Sequence, residues 1–123
     1  MPILIVNIAG AAPAARYIFE GAGMGTETVN DLETAAVRLA GGDYHVAVLL
    51  ANEGDSIDAC ETLRGTGGTP LIVISPGMST EACVRTIEAG ADFCLRRAFG
   101  PLELTARVKA LENRFVRTAV VAA

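Results

Sequence analysis

Apolar and polar residues follow one another along the chain in blocks that predict five strands separated by helices. The predicted strands are short runs rich in aliphatic and β-branched residues, at residues 3–7, 26–29, 46–51, 71–75 and 92–95. Three of these runs are apolar almost throughout, which is typical of central parallel strands that helices cover on both faces. The second run is short and polar, which favours a position nearer an edge of the sheet.

Capping residues and glycines delimit the first three predicted helices. Pro13 suits the first turn of a helix that runs to about residue 20 and ends at a glycine cluster. Asn30 is predicted to cap the second helix, with Glu33 three residues further on as in a capping box. A third helix is predicted at about residues 57–64, and several glycines follow it.

The last two helices carry a clear cap and a clear apolar stripe. Ser79 is predicted to cap the fourth helix, in which Val84 and Ile87 are expected to point inward. The fifth helix is predicted to begin at Pro101. Its apolar residues recur at spacings of four, three and four, at Leu104, Val108, Leu111 and Phe115. Strict alternation of strand and helix implies an α/β fold, with a five-stranded parallel sheet, right-handed crossovers and helices on both faces.

Composition excludes several classes of function. Of the 123 residues, 51% are hydrophobic and 20% are charged, which indicates one compact domain rather than a disordered chain. The net charge of −4 leaves no broad basic face for nucleic acid, so contact with DNA would need a further part of a longer protein. The first apolar run is too short for a membrane span and lacks the basic start of a signal peptide, so we expect a cytoplasmic protein without membrane contact.

Residue types that often carry catalysis or metal binding are sparse. The three cysteines, Cys60, Cys83 and Cys94, are widely spaced, so we expect reduced, buried thiols and neither a metal site nor another cofactor. His45 precedes the third strand, at the opposite end of the sheet from Ser75, which disfavours a Ser/His/Asp hydrolase. We therefore expect that the chain is not an enzyme.

Four segments together carry a resemblance to a known family. They are ILIV at residues 3–6, YHVAVLL at 44–50, TPLIVIS at 69–75 and EAGADFCLRRAF at 88–99. Over about residues 2–115 their order and spacing resemble the CheY-like receiver domains of response regulators, most of all the amino-terminal domain of OmpR/PhoB-type winged-helix transcription factors. The resemblance implies a flavodoxin-like fold with strand order 2-1-3-4-5, a receiver-like domain at residues 1–115, and a linker stub or tail at residues 116–123.

The phosphorylation chemistry of that family needs groups that this chain lacks. Receiver domains hold Mg²⁺ with two acids after the first strand and phosphorylate an aspartate at the end of the third, because the metal takes hard oxygen ligands and the nucleophile is a carboxylate. The acidic pair is here Asn7 and Ile8, and the acceptor position is Leu50. A leucine cannot accept a phosphoryl group, so the resemblance implies a degenerate pocket without catalytic or metal-binding residues.

Two other pocket positions keep part of their chemistry. Ser75 stands at the hydroxyl position of the family, and Arg97 stands where the family has a lysine, which preserves the charge but not its geometry. The aromatic switch position of the fifth strand is Cys94, and Phe93 is expected to face the other side of that strand. Several parts of one mechanism are absent together, which indicates that phosphotransfer has been abandoned.

Acidic residues after the third strand leave two interpretations open. Glu53, Asp55 and Asp58 follow that strand at the carboxyl edge of the sheet, where a relocated metal site is one reading. Acids are also favourable at a helix N-terminus, where they are solvated and interact with the helix dipole. We favour the second interpretation.

The last helix and the elements beside it form the candidate functional surface, because charged residues recur on one outward face of that helix. In the winged-helix branch of the family, similar acidic and basic residues of the fourth helix, fifth strand and fifth helix pair across a two-fold dimer. Here Cys83 replaces a basic residue of that interface and Phe93 replaces an acidic one. The resemblance implies a homodimer interface at Arg85, Asp92, Phe93, Glu103, Arg107 and Arg114.

These observations lead to two functional hypotheses. The first is a phosphorylation-independent regulatory and dimerisation domain of a two-component transcriptional regulator, which reaches DNA only through a carboxyl-terminal domain outside this chain. The second is a stand-alone pseudo-receiver that binds a partner signalling protein or a small anionic ligand in the remodelled pocket, where Ser75 and Arg97 remain. A helix-turn-helix sequence after this segment in the native gene would favour the first hypothesis.

Overall fold

The computed structural model describes residues 2–9, 12–42, 44–96 and 101–122, and it describes the side chains in these ranges except at residues 12–14 and 113–122. Within these ranges, strands and helices alternate in chain order: β1 (Ile3–Asn7), α1 (Ala12–Gly21), β2 (Thr26–Val29), α2 (Leu32–Ala40), β3 (Ala47–Leu50), α3 (Glu53–Arg64), β4 (Leu71–Ile74), α4 (Thr80–Glu88), β5 (Phe93–Leu95) and α5 (Pro101–Ala122). All five predicted strands are confirmed, because no strand end differs by more than one residue from its prediction.

The strands form one parallel sheet in the order β2-β1-β3-β4-β5, which confirms the α/β, flavodoxin-like topology. The register aligns the carboxyl ends of neighbouring strands, since Asn7 lies opposite Leu50, Leu50 lies opposite Ile74, and Ile74 lies opposite Leu95. The residues that end these strands therefore line one edge of the sheet, the edge at which ligands bind in such folds.

Alternating strand residues divide the apolar core into two layers, one on each face of the sheet. The layer under α1 and α5, here called the α1/α5-side core, includes the completely buried residues Phe19, Leu104 and Val108. The layer under α2 and α3, here called the α2/α3-side core, includes Leu63. The apolar stripe predicted for the last helix is thus confirmed, while the side chain of Phe115 lies outside the described residues.

The starts of two helices differ from their predictions. The cap of α2 is Asp31 rather than Asn30, because the Asp31 carboxylate accepts hydrogen bonds from the backbone N–H of Thr34 at 2.7 Å and from its hydroxyl at 2.9 Å. Helix α3 begins at Glu53, four residues before the predicted start, and acids in its first turn stabilise this additional turn through the helix dipole. The prediction that Ser79 caps α4 is confirmed.

The orientation of α4 is the main correction to the predicted core. The prediction that Val84 and Ile87 point inward is wrong, because their side chains are 50% and 47% exposed. The inward residue is Thr86, which is completely buried. Its hydroxyl lies 3.1 Å from the hydroxyl of Ser56 on α3 and donates to the carbonyl of Ala82 at 2.7 Å. These bonds offset the cost of removing the hydroxyl from water.

Helix α5 begins at Pro101, as predicted, and the hydroxyl of Thr105 donates to the Pro101 carbonyl at 2.9 Å. The helix continues to Ala122, so residues 116–122 prolong it, and the division of the chain at residue 115 stays a prediction. In the described ranges, no helix combines the length and the apolar character that crossing a bilayer requires.

Candidate functional site

The ends of β1 and β3 are joined closely at the carboxyl edge of the sheet. The backbone N–H groups of Ile8 and Ala9 both donate to the carbonyl of Leu50, at 2.9 and 2.8 Å. The register places Asn7 directly beside Leu50. The structure therefore brings together the three residues that stand at the metal and acceptor positions of the family.

The side chain of Leu50 is part of the core rather than of a polar pocket. It is only 2% exposed and belongs to the α1/α5-side core, together with Ile74 and Leu95. Asn7 and Ile8 are half-buried, and Ile8 packs against the opposite, α2/α3-side core. At the acceptor position the chain thus presents packed hydrocarbon, which neither binds a metal nor attacks phosphorus.

Ser75 follows β4 and is 2% exposed, so its hydroxyl position is enclosed rather than open. Its backbone N–H donates to the Leu95 carbonyl at 2.9 Å, and its carbonyl accepts from the N–H of Met78 at 3.1 Å. Arg97, the second polar pocket residue predicted from the sequence, lies outside the described residues. An anion site formed by Ser75 and Arg97 therefore stays a prediction.

The two residues at the aromatic switch position and beside it lie on opposite faces of β5, as predicted. Phe93 packs against the α1/α5-side core, whereas Cys94 packs against the α2/α3-side core. Burial raises the pKa of the Cys94 thiol to about 12, and the neighbouring Cys83 contributes to the same shift. Phe93 therefore does not substitute for the missing aromatic residue.

A hydrogen bond that joins α3 to the start of α4 at this edge was not predicted from the sequence. The carboxylate of Glu53, the first residue of α3, accepts a hydrogen bond from the backbone N–H of Ser79 at 2.7 Å. This bond holds the pKa of Glu53 below its ordinary value of 4.5. Among the described residues, no three His, Cys, Asp or Glu side chains are placed to share a metal ion. The structure thus gives Glu53 a role in joining α3 to the start of α4.

Changing Glu53 to Gln is expected to speed hydrogen exchange of the Ser79 amide at neutral pH by a few-fold, because a neutral amide is a weaker acceptor than a carboxylate. The folded-state pKa of Glu53 is depressed, so its contribution is complete above about 4.5 and is lost as the pH falls through the folded value. The protection factor of the Ser79 amide, which is its intrinsic exchange rate divided by the rate observed by NMR, should therefore decrease at low pH in the wild type more than in the variant. Glu61→Gln, on the exposed side of the same helix, serves as the control. Equal exchange in all three proteins at neutral pH would contradict the link.

The surface formed by α4, β5 and α5, here called the α4–β5–α5 face, has both polar and apolar parts. Arg85 and Arg107 are exposed, and Glu103 is half-buried. The guanidinium of Arg107 lies over the ring of Phe93, 4.3 Å from its centroid, which is a cation–π contact. A cleft of about 460 Å³ lies here and is lined by Phe93, Cys94, Leu95, Arg96, Glu103 and Arg107.

Asp92, which the resemblance assigns to the dimer interface, makes its polar contacts within the chain. Asp92 accepts hydrogen bonds from the guanidinium of Arg64 and from the backbone N–H of Leu71, at 2.7 and 2.8 Å. Its carboxylate is thus engaged within the chain, by a residue 28 positions earlier that the sequence pattern did not identify. The side chain of Arg114 lies outside the described residues.

The comparisons with solved structures identify the class of protein. The receiver domain of the Francisella response regulator 1452 is 27% identical to this chain, with a TM-score of 0.77 over 93% of this chain and 98% of that one. A two-component response regulator from Clostridium difficile shares the fold with a TM-score of 0.80 at 19% identity, over 94% and 98% of the two chains. This chain is a receiver domain of the two-component response-regulator class.

Within that class, the curated proteins similar in sequence include response regulators that are named as DNA-binding. The DNA-binding response regulator MtrA of Mycobacterium tuberculosis H37Rv is 32% identical over 115 residues, which are 91% of this chain and 50% of MtrA. The chain spans about half the length of the curated relatives it matches. No family model matches the chain. The similarity to MtrA and to solved receiver domains confirms the family resemblance inferred from the sequence.

Proposed function

We propose that this chain is a receiver domain that works without phosphotransfer and regulates by forming a homodimer through its α4–β5–α5 face. The observation that carries the proposal is the buried Leu50 at the end of β3, the acceptor position of the family. A regulatory domain that cannot be phosphorylated there must transmit its signal by contacts alone, and this role needs no enzymatic activity.

Loss of the acceptor is supported by the groups around it. Asn7 and Ile8 carry no negative charge, so a divalent cation would have no carboxylate from these positions to offset its dehydration. Phosphoryl transfer also needs an open approach to the attacking atom, whereas both Leu50 and Ser75 are 2% exposed. These features favour a pocket that has become part of the core.

The α4–β5–α5 face has the composition of a protein contact. Val84 and Ile87 are three residues apart and exposed, so they form an apolar strip on α4. Arg85 on α4, and Glu103 and Arg107 on α5, contribute charges of both signs to the same face. A face that carries acids, bases and an apolar centre can pair with its own copy across a two-fold axis. We place the dimer here for that reason.

A DNA-binding part is proposed to lie outside this chain. MtrA is a DNA-binding regulator, and this chain corresponds to about half of its length. The net charge of −4 disfavours direct contact between this domain and a phosphate backbone. Under this proposal the dimer sets the spacing of two DNA-binding domains, and its target is a two-fold pair of half-sites.

Sedimentation velocity tests the proposal directly. The chain is expected to sediment as a dimer at micromolar concentration, with the same distribution before and after addition of acetyl phosphate and Mg²⁺, and its intact mass should not change. A monomer at high micromolar concentration would contradict the dimer. A product heavier by one phosphoryl group would contradict the loss of phosphotransfer.

Arg107→Glu supplies the matched variant for this experiment. Reversal of this charge is expected to weaken the dimer about fivefold, because it removes the contact over Phe93 and places an acid near Glu103. Lys109→Glu makes the same charge change at another exposed position of α5 and should have little effect. Equal weakening by both variants would indicate a general charge effect and not this face.

A further inference from the structure

Strand β5 lies at one end of the sheet and has a free edge. It is the last strand in the order β2-β1-β3-β4-β5, and among the described strands it pairs with β4 alone. The cleft of about 460 Å³ on the α4–β5–α5 face is lined in part by residues 93–96, which are this strand and the residue after it. A free strand edge presents backbone donors and acceptors to a further strand. The sheet can therefore be extended at β5.

The hydrogen bonds to β4 show which backbone groups of β5 point to the free edge. The N–H of Ser75 donates to the carbonyl of Leu95 at 2.9 Å, and Leu95 lies opposite Ile74. Alternate residues of a strand direct their backbone groups to opposite sides, so Phe93 and Leu95 face β4. The N–H and C=O of Cys94, which lies between them, therefore point to the free edge.

Cys94 is the centre of this edge, because the backbone on either side of it is partly bonded within the chain. The Asp92 N–H donates to the carbonyl of Leu71 at 2.8 Å, and the Arg96 carbonyl accepts from the N–H of Gly77 at 2.9 Å. A second strand that exchanges both hydrogen bonds with one residue must align with that residue. The register of a pairing at this edge is thereby fixed at Cys94.

We propose that a second copy of this chain occupies the edge, so that two β5 strands pair antiparallel about a two-fold axis at Cys94 and join the two sheets into one. A two-fold axis makes both copies use the same patch, and a strand edge that meets itself in this way must be antiparallel. The Cys94 N–H of each copy then donates to the Cys94 carbonyl of the other. The inference rests on the proposed homodimer and states how its centre is built.

The sequence around Cys94 is complementary to itself in this register. Antiparallel pairing centred there places Asp92 of one copy beside Arg96 of the other, and Phe93 beside Leu95. Opposite charges and apolar side chains at facing positions both stabilise paired strands. The two hydrogen bonds that Asp92 accepts within the chain both end on Oδ2, and a carboxylate accepts at two oxygens. Asp92 is thus held in place and can accept a further bond from the second copy.

The same axis accounts for the apolar strip on α4. It stands perpendicular to the sheet, so each helix layer stays on its own side and α4 of one copy comes beside α4 of the other. Val84 and Ile87, the exposed residues of the strip, belong to this helix. Pairing of β5 is therefore expected to remove apolar surface from water.

The free edge of β2 lacks the complementarity of β5 and supplies an internal control. Within β2 the charged residue is Glu27, so pairing of this strand with its own copy gives no pair of opposite charges. The Ile3 N–H donates to the carbonyl of Gly25, so alternation directs the backbone N–H of Thr28 to this edge.

Amide hydrogen exchange of the complete chain, measured by NMR below and above the dissociation constant of the dimer, tests the pairing. When about nine-tenths of the chains are dimeric, the Cys94 amide is expected to exchange about tenfold more slowly than in the monomer, because exchange then occurs only while the two strands are apart. The Thr28 amide should exchange at one rate at both concentrations.

The outcomes separate this inference from the proposed function. A dimer in which the Cys94 amide exchanges as fast as in the monomer would overturn the pairing of β5 and leave the homodimer standing. Slower exchange of Thr28 in place of Cys94 would move the contact to β2 and overturn the inference. A chain that stays monomeric overturns both proposals, and a dimer with a protected Cys94 amide supports both.

Cys94→Pro removes the outward N–H, whereas the backbone groups of Phe93 and Leu95 that face β4 remain. The variant is expected to weaken the dimer about tenfold or more. Thr28→Pro makes the same change at the edge of β2 and should leave the dimer constant unaltered. Circular dichroism reports whether each variant is folded, and equal dimer constants for the two folded variants would contradict the pairing. If Cys94→Pro does not fold, exchange in the unaltered chain decides.

Discussion

Leu50→Asp is expected to lower the free energy of unfolding by about 3 kcal/mol or more, and to leave the chain unlabelled by acetyl phosphate. The change restores the residue type that the receiver family uses as phosphoacceptor. Here, however, the new carboxylate would replace hydrocarbon that packs beside Ile74 and Leu95 and is 2% exposed. Its two partners at the metal position, Asn7 and Ile8, have no charge with which to hold Mg²⁺. Urea denaturation and intact mass measure the two effects.

Leu50→Met is the control for this substitution, because it keeps the volume and apolar character of the side chain and is expected to cost less than about 1.5 kcal/mol. A Leu50→Asp variant that is as stable as the wild type and takes up phosphate would show that the pocket remains competent. In that case the loss of phosphotransfer would be due to the residue at position 50 alone, and the rest of the pocket would still support the reaction.

Ile87→Glu is expected to weaken the dimer about thirtyfold, which corresponds to about 2 kcal/mol, with little change in stability. The side chain is 47% exposed in the single chain, so a charge there is hydrated and is tolerated by the fold. In the dimer the same charge would be desolvated against the apolar strip of the partner. Sedimentation equilibrium measures the dimer constant, and thermal unfolding measures the stability.

Val37→Glu is the matched control for Ile87→Glu. Val37 is 70% exposed on α2, and α3 packs between α2 and α4, so this position lies away from the α4–β5–α5 face. The same apolar-to-acid change there should leave the dimer constant unaffected. If the two variants weaken assembly equally, or if neither does, the dimer is located elsewhere on the surface.

The sheet could be predicted from the sequence because its signals are local. Central strands appear as unbroken apolar runs, and the Ser79 cap needs only the next few residues to be recognised. The order of the strands was predicted from the family resemblance, which rests on the spacing of four segments, because members of a family share one topology. The substitution at Leu50 was likewise visible directly in the letters.

The parts that were mispredicted depend on partners far along the chain. Periodicity placed Val84 and Ile87 inside because apolar residues usually face a core. The buried position on α4 is instead occupied by Thr86, whose hydroxyl forms a hydrogen bond with the hydroxyl of Ser56, 30 residues earlier. A pattern within one helix contains no information about such a partner. The pattern therefore predicted the wrong side of α4 to be buried, and it did not indicate that Val84 and Ile87 are exposed.

The same limit applies to the polar residues of the candidate interface. Asp92 was assigned to a contact between chains by resemblance, but its carboxylate is held by Arg64 and by the backbone of Leu71. Sequence comparison matches positions and residue types. The partner of a charged side chain depends instead on which residues of other elements lie beside it in the fold. Arg85 and Arg107, whose side chains are exposed, are charged residues through which we expect the face to pair.

The contacts between α3 and α4 give the molecule a mechanical support. Helix α3 holds α4 near its start through Glu53 and Ser79 and along its length through Ser56 and Thr86. Beyond its end, the Arg64 side chain donates to the carbonyl of Gly90 at 2.9 Å. Because these three sets of hydrogen bonds connect α4 to α3, the two helices are expected to move together as one rigid unit. A protein that binds only α3 would then change the position of α4 within the α4–β5–α5 face without contacting that face.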